Sequence, residues 1–222
     1  MPTQCACYTI SMKFTKHEHA YMTLEEQGHK LVIDPGTLTK DLGDISNVVA
    51  VVITHSHFDH MSAAHLAAIA AQNPAAVFYS TSKVAGKVSS PQITVVAAGQ
   101  TVQAGPFKLE FFGEKHAFIH GTTPDEPNFG VLINDNFYYP GDSLTLPELP
   151  VKTLAVPLSG PWLRINEVVD FMLAVKPKLS VPAHDALLTA TGEKLSEDWL
   201  TRYAPEYGGR YQHVAVGESL EI

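Results

Sequence analysis

The sequence predicts an α/β fold of the α+β type, in which two β-sheets carry helices on their outer faces. Three observations lead there. Short apolar or alternating runs of strand length fill much of the chain, they come in two batches, and each batch is followed by segments with helical spacing.

In chain order, CYTISMKF (7–14), AYMTLEE (20–26) and HKLVID (29–34) alternate or run apolar and read as antiparallel strands with tight connections. NVVAVVIT (47–54) is a continuous β-branched run, which predicts a strand buried on both faces. MSAAHLAAIAAQN (61–73) is alanine-rich, spaced as an apolar helix and stopped by Pro74. AVFYS (76–80) then reads as a strand, TSKVAGKV (81–88) as a short helix with a Ser/Thr cap, and ITVVA (93–97) as a strand. FKLEFFGEKH (107–116) is the next strand, and 129–134 with 136–142 form a hairpin turning at Asn134 and Asp135. TLAVPL (153–158), a helix over 165–176 and KLSVPAH (178–184) make a β-α-β unit. A helix near 196–204 and a closing strand at 210–216 finish the chain.

With 222 residues, 45% hydrophobic and 17% charged, the chain is expected to form a single domain over 1–222 with a sizeable core. A net charge of −8 argues against nucleic acid as a partner. The expected partner is a small-molecule substrate, and assembly into a homo-oligomer is left open. Cys5 and Cys7 are too close for a normal structural staple and read as reduced strand residues, with a soft metal site as the second reading. MPTQCACYTI lacks the basic start and apolar run of a signal peptide, and no apolar stretch is long enough for a membrane span, so a cytoplasmic protein is expected.

The chemistry concentrates in THSHFDH (54–60), which follows the apolar run directly. A solvated polar loop is the bland reading. It does not account for His116 after LEFFGEK, Asp142 after FYYPG and His184 after LSVPA, each at the end of another apolar strand. Strand ends on one sheet edge converge, and imidazole with carboxylate suits zinc and its borderline neighbours. His55, His57, Asp59, His60, His116, Asp142 and His184 are too many for one tetrahedral ion. They suit two divalent ions sharing a bridging carboxylate and hydroxide. Zinc is the first expectation, with manganese or iron as alternatives. His55 and His57, two apart in extended chain, can face one ion, while adjacent Asp59 and His60 must diverge and reach a second. His120 competes with His116 for the third-strand role. His65 reads as a core or surface residue of its helix, and His17, His29 and His213 as solvated.

HSHFDH matches the H-x-H-x-D-H signature, and with it the chain resembles the metallo-β-lactamase superfamily over nearly its whole length. VIDPG (32–36), His116, Asp142 in YYPGDS and His184 in VPAHD are similar to the family's other motifs in order and spacing. The resemblance implies a four-layer αββα sandwich with the site at one edge. It implies one ion on His55, His57 and His116 and another on Asp59, His60 and His184, with Asp142 between them. Asp34 would support the histidine loop. KHEHAYMTLEEQGHKLVIDPG looks like the start of ascorbate-6-phosphate-lactonase-like members. His19 matches their histidine, with Glu18 where a glycine usually stands.

The reaction class implied is hydrolysis of a small-molecule ester, lactone or related bond. Asp59 would ligate and orient the nucleophile, and His184 or His19 would assist the oxyanion or leaving group. A small phosphodiesterase of the same fold, and a non-catalytic metal-binding scaffold or regulatory protein, are the alternatives. PLSGPWLRINE (157–167), with Trp162 and Arg164, joins a strand to a helix at the same edge. It reads equally as a substrate wall or as a loop packing its tryptophan inward.

Overall fold

The computed structural model describes residues 11–222, so Cys5, Cys7 and the start of the 7–14 run lie outside the described residues. The N-terminal meander is β1 (Lys13–Lys16), β2 (Met22–Glu26) and β3 (His29–Ile33), paired antiparallel in succession. Gln27 and Gly28, both at positive φ, close the β2–β3 hairpin with the twist that flanking strands favour. The direction then changes. β4 (Val48–Val52), β5 (Val77–Ser80) and β6 (Ile93–Val95) add in parallel beyond β3. The parallel crossovers carry α1 (Ala63–Gln72), capped by the Ser62 side chain, and α2 (Ser82–Lys87), capped by Thr81.

The second sheet begins with β7 (Thr101–Ala104), which local pattern did not predict. It pairs with β8 (Phe107–Phe112) across a Gly105-Pro106 turn, a breaker pair of the kind that marks hairpins. β8 stops at Phe112, four residues before the expected end at His116, because Gly113 (φ +76) turns the chain away. β9 (Gly130–Ile133) and β10 (Phe137–Tyr139) form the hairpin over Asn134 and Asp135, both at positive φ. β11 (Thr153–Pro157), α3 (Ile165–Val175) and β12 (Leu179–Ala183) make the β-α-β unit.

The C-terminal expectations need two corrections. α4 (Ala190–Tyr203) begins six residues before 196, where the Thr189 hydroxyl accepts from the Gly192 N–H. The expected strand 210–216 is only β13 (Arg210–Tyr211); the chain then crosses to the other sheet and adds β14 (Ser219–Glu221) beside β1. The resulting orders are β14-β1-β2-β3-β4-β5-β6 and β13-β12-β11-β10-β9-β8-β7.

Packing follows from strands that are apolar on both faces. Leu31 and Ile33 of β3 join Phe14, Phe107 and Phe137 between the sheets, while Val32 joins Val51, Ile53 and Phe78 under α1 and α2. Leu132, Tyr138 and Leu154 meet α3 and α4 on the far side. These are the four layers of an αββα sandwich. Among the described residues no helix is long and apolar enough to cross a membrane. The parallel groups β3-β4 and β10-β11-β12 end at the same edge, where Asp34, His55, Asp142 and His184 follow the strands.

A close approach fixes that edge. A Cβ on Gly36 would lie 1.9 Å from the Asp59 carbonyl oxygen, whereas one on Gly86 in α2 would meet nothing within 4 Å. Gly36→Ala should therefore cost about 1–3 kcal/mol through overpacking. Gly86→Ala should add roughly 0.5–1 kcal/mol by restricting the unfolded chain and favouring helix. Thermal unfolding of the two variants should move in opposite directions; equal shifts would contradict this packing.

Candidate functional site

The floor of the site is one buried carboxylate. Asp34 leaves β3 in a left-handed turn (φ +44), and its Oδ1 accepts the Thr54 N–H at 2.7 Å. Its Oδ2 accepts the Thr54 hydroxyl and His60 Nδ1–H, both at 2.6 Å. β3, β4 and the histidine loop are thereby tied through three donors on one side chain, as expected of its family position.

The same bonds decide which nitrogen of each imidazole faces inward. An oxygen with no hydrogen to give can only accept, so its imidazole partner must be N–H. His60 spends Nδ1–H on Asp34, His116 on the Ala117 carbonyl (2.6 Å) and His184 on the Ser159 carbonyl (2.6 Å). Thr54 has given its hydroxyl hydrogen to Asp34, so its oxygen accepts His55 Nδ1–H at 3.1 Å. In the neutral form, the Nε2 atoms of His55, His60, His116 and His184 then carry lone pairs. Those of His60 and His184 are buried without a hydrogen-bond partner, as is Asp142 Oδ1.

Two groups of donor atoms result, each drawn together within 4.8 Å: His55, His57, His116 and Asp142, and His19, Asp59, His60 and His184. Asp142 faces both. Its Oδ1 lies 3.0 Å from His60 Nε2 and 3.2 Å from His184 Nε2, and its Oδ2 lies 3.2 Å from His116 Nε2 and 3.9 Å from His55 Nε2. Lone pair against lone pair at these separations calls for positive charge between them. Burial opposes charge on His60, yet Asp142 and Asp34 outweigh it and hold its pKa well above the ordinary imidazole value. Burial likewise opposes charge on His184, but Asp142 and Asp59 push its pKa up to about 9. Burial raises Asp142, but His60 and His184 more than reverse this and hold it well below the usual carboxylate range. A proton or a metal cation would satisfy the same demand, and the donor set is one that zinc, manganese or iron accepts.

His19 differs from its neighbours. Its Nδ1 accepts the Ala186 N–H at 3.2 Å, so the neutral ring carries hydrogen on Nε2 and donates to Asp59 Oδ2 at 3.2 Å. Burial keeps its pKa low, in keeping with a neutral ring. With both nitrogens engaged it orients Asp59 and offers no free lone pair. Asp59 Oδ2 also faces His184 Nε2 at 3.4 Å and His60 Nε2 at 3.8 Å.

His120 is exposed, bonds Thr122 and joins neither group, whereas His116 lies with His55, His57 and Asp142. His65 reaches the Pro35 carbonyl from α1. His17 is not solvated as expected but stacks on Tyr21, with ring centroids 4.0 Å apart. Arg164 is exposed at the start of α3. Two supports were not foreseen. Trp162 is buried and its indole N–H donates to Asp142 Oδ2 at 2.9 Å. Glu126 accepts both the N–H and the hydroxyl of Ser56, steadying the histidine loop from 70 residues away. Local sequence carried no signal for that pairing.

Asp34→Asn tests the floor. Its amide would set N–H against His60 Nδ1–H or give up a Thr54 donor, freeing the His60 ring. Zinc affinity, read by competition with a chromophoric chelator, should fall about ten- to hundred-fold. Unchanged affinity would mean that Asp34 does not set the ring's orientation.

The sequence matches the profile described as Beta-lactamase superfamily domain over residues 13–184. It is 32% identical over 182 residues to Protein Rv0786c of Mycobacterium tuberculosis, covering 80% of this chain and 85% of that one. A UPF0173 metal-dependent hydrolase of Aeropyrum pernix is 31% identical over 119 residues, 47% of this chain and 48% of that one. In fold the chain resembles Igni18, a metallo hydrolase from Ignicoccus hospitalis, with TM-score 0.73 at 20% identity over 96% of this chain and 98% of that one. With a profile spanning most of its residues and these relatives beside it, the chain belongs to the metallo-β-lactamase superfamily.

Proposed function

We propose that this chain is a metal-dependent hydrolase that holds two divalent cations and cleaves a small-molecule ester, lactone or related bond. The observation that carries the reading is the inward convergence of Nε2 lone pairs whose opposite nitrogens are already spent. His55, His57 and His116 would hold one cation and Asp59, His60 and His184 the other, with Asp142 offering one oxygen to each. Zinc is the first candidate, then manganese or iron. Bound there, the ions would supply Lewis acidity and a water acidified enough to serve as nucleophile near neutral pH. The names of the Aeropyrum and Ignicoccus proteins support hydrolysis as the reaction class.

The chain's own groups have separable tasks. Asp59, held by the His19 N–H, presents a fixed oxygen toward the centre, where it can orient the attacking water. His19 therefore acts through Asp59 rather than on substrate, which narrows the role expected from its position. His184, anchored by the Ser159 carbonyl, is the group left to face the oxyanion or leaving group. A cleft of about 180 Å³ opens beside His57 and His116, walled by Ala117, Phe118, Ile119 and Pro124. Its mixed polar and apolar lining, opening directly beside the donor groups, is where a small substrate would enter.

Metal content by mass spectrometry on protein purified without chelator, beside Asp142→Ala, tests the reading. Close to two ions per chain are expected in the native protein and fewer in the variant. Turnover on an ester and lactone panel should fall about hundredfold or more in Asp142→Ala, since the ligand itself and not merely its support is removed. Cleavage confined to phosphodiesters would favour the phosphodiesterase alternative. Metal without turnover would favour the scaffold, and absence of metal would sink all three readings.

A further inference from the structure

We propose that Trp162 is a positioning residue of the centre, whose indole N–H fixes the carboxylate plane of Asp142 and so governs the ion beside His55, His57 and His116. The proposal rests on the metal-binding reading above. An indole N–H is a donor only and keeps its hydrogen across the working pH range, so it makes a constant claim on one lone pair of its acceptor. It claims Asp142 Oδ2 at 2.9 Å, the oxygen that faces His116 and His55; Oδ1, toward His60 and His184, has no such donor. The two oxygens are therefore unequal. Rotation about the terminal torsion of an aspartate is otherwise soft. With Oδ2 pinned, the remaining lone pair on that oxygen keeps one direction, and Oδ1 is aimed at the second group as a consequence.

The surrounding loop is built to hold the indole there. A Cβ on Gly160 would lie 2.7 Å from Trp162 Nε1, so only glycine lets the chain pass so close. The neighbouring Ser159 gives its N–H and its hydroxyl to the His184 carbonyl and takes His184 Nδ1–H on its own carbonyl. One loop thus sets His184 and Asp142 together. Ring packing alone would account for burial of Trp162, but not for an N–H directed at a carboxylate that faces both ligand groups.

The test uses zinc and the whole chain. Trp162→Phe keeps an aromatic ring and deletes the N–H. Zinc titration against a chelator should show one of the two sites, that of His55, His57 and His116, losing roughly ten- to hundred-fold in affinity. The second site should move by less than about threefold, since its Oδ1 contact is only indirectly affected. A second measurement needs no change at Trp162. The chain has two tryptophans, so protein labelled with ¹⁵N-tryptophan gives two indole signals, assigned through Trp199→Phe in α4. The Trp162 N–H should exchange slowly with water and shift as zinc fills the first site, while Trp199 stays still. Equal zinc affinities at both sites in the native protein and the Trp162→Phe variant, or a Trp162 signal indifferent to zinc, would overturn the proposal alone. A native chain that binds no zinc would overturn it together with the reading beneath it.

Discussion

Buried lone pairs cannot face one another without a cation between them, and the site edge of this protein is organised around that constraint. Four imidazoles, those of His55, His60, His116 and His184, are turned by an acceptor on Nδ1, so that Nε2 of each meets a carboxylate oxygen or another ring. Leaving a buried polar atom unsatisfied costs about 1–3 kcal/mol, more where charge is involved. Several such atoms concentrated at one edge are tolerable only on a scaffold that is stable elsewhere. The interior between the two sheets, with Phe14 stacked on Phe137 at 5.4 Å, is that scaffold.

Backbone strain is also present at the same edge. His19, Asp34 and His184 all take positive φ, a region that residues with a Cβ seldom adopt. Each is pinned by the site's own bonds. Asp34 holds Thr54 and His60, and the His184 N–H donates to the His19 carbonyl at 2.9 Å. The loop before β2 and the end of β12 are thus joined across the gap between the sheets. The arrangement resists local relaxation, which is what a ligand set needs if its geometry is to precede the ligand.

Much of this was readable in the chain because it rests on local pattern. The valine run of β4, the Asn134-Asp135 turn and the β-α-β unit follow from periodicity and turn chemistry, and both sheets with their outer helices were anticipated. The candidate ligands were recognisable because polar residues after apolar strands are conspicuous. What escaped depends on distant partners. β14 is three residues long and is a strand only because β1 offers an edge. Glu126 looks ordinary in sequence and Trp162 stood out only as a wall or packing residue; the fold brings one to Ser56 and the other to Asp142. His19 gained its role from the Ala186 N–H, 167 residues away, which selects the tautomer that serves Asp59.

Anomalous diffraction at the zinc edge, from crystals of protein purified without chelator and supplied with zinc, addresses the central claim most directly. Two peaks are predicted, one bounded by His55, His57, His116 and Asp142 and the other by Asp59, His60, His184 and Asp142. His19 should stay outside coordination distance, still donating to Asp59. No peak at this edge, or density confined to the surface group Glu193, Glu197 and His213, would contradict the account.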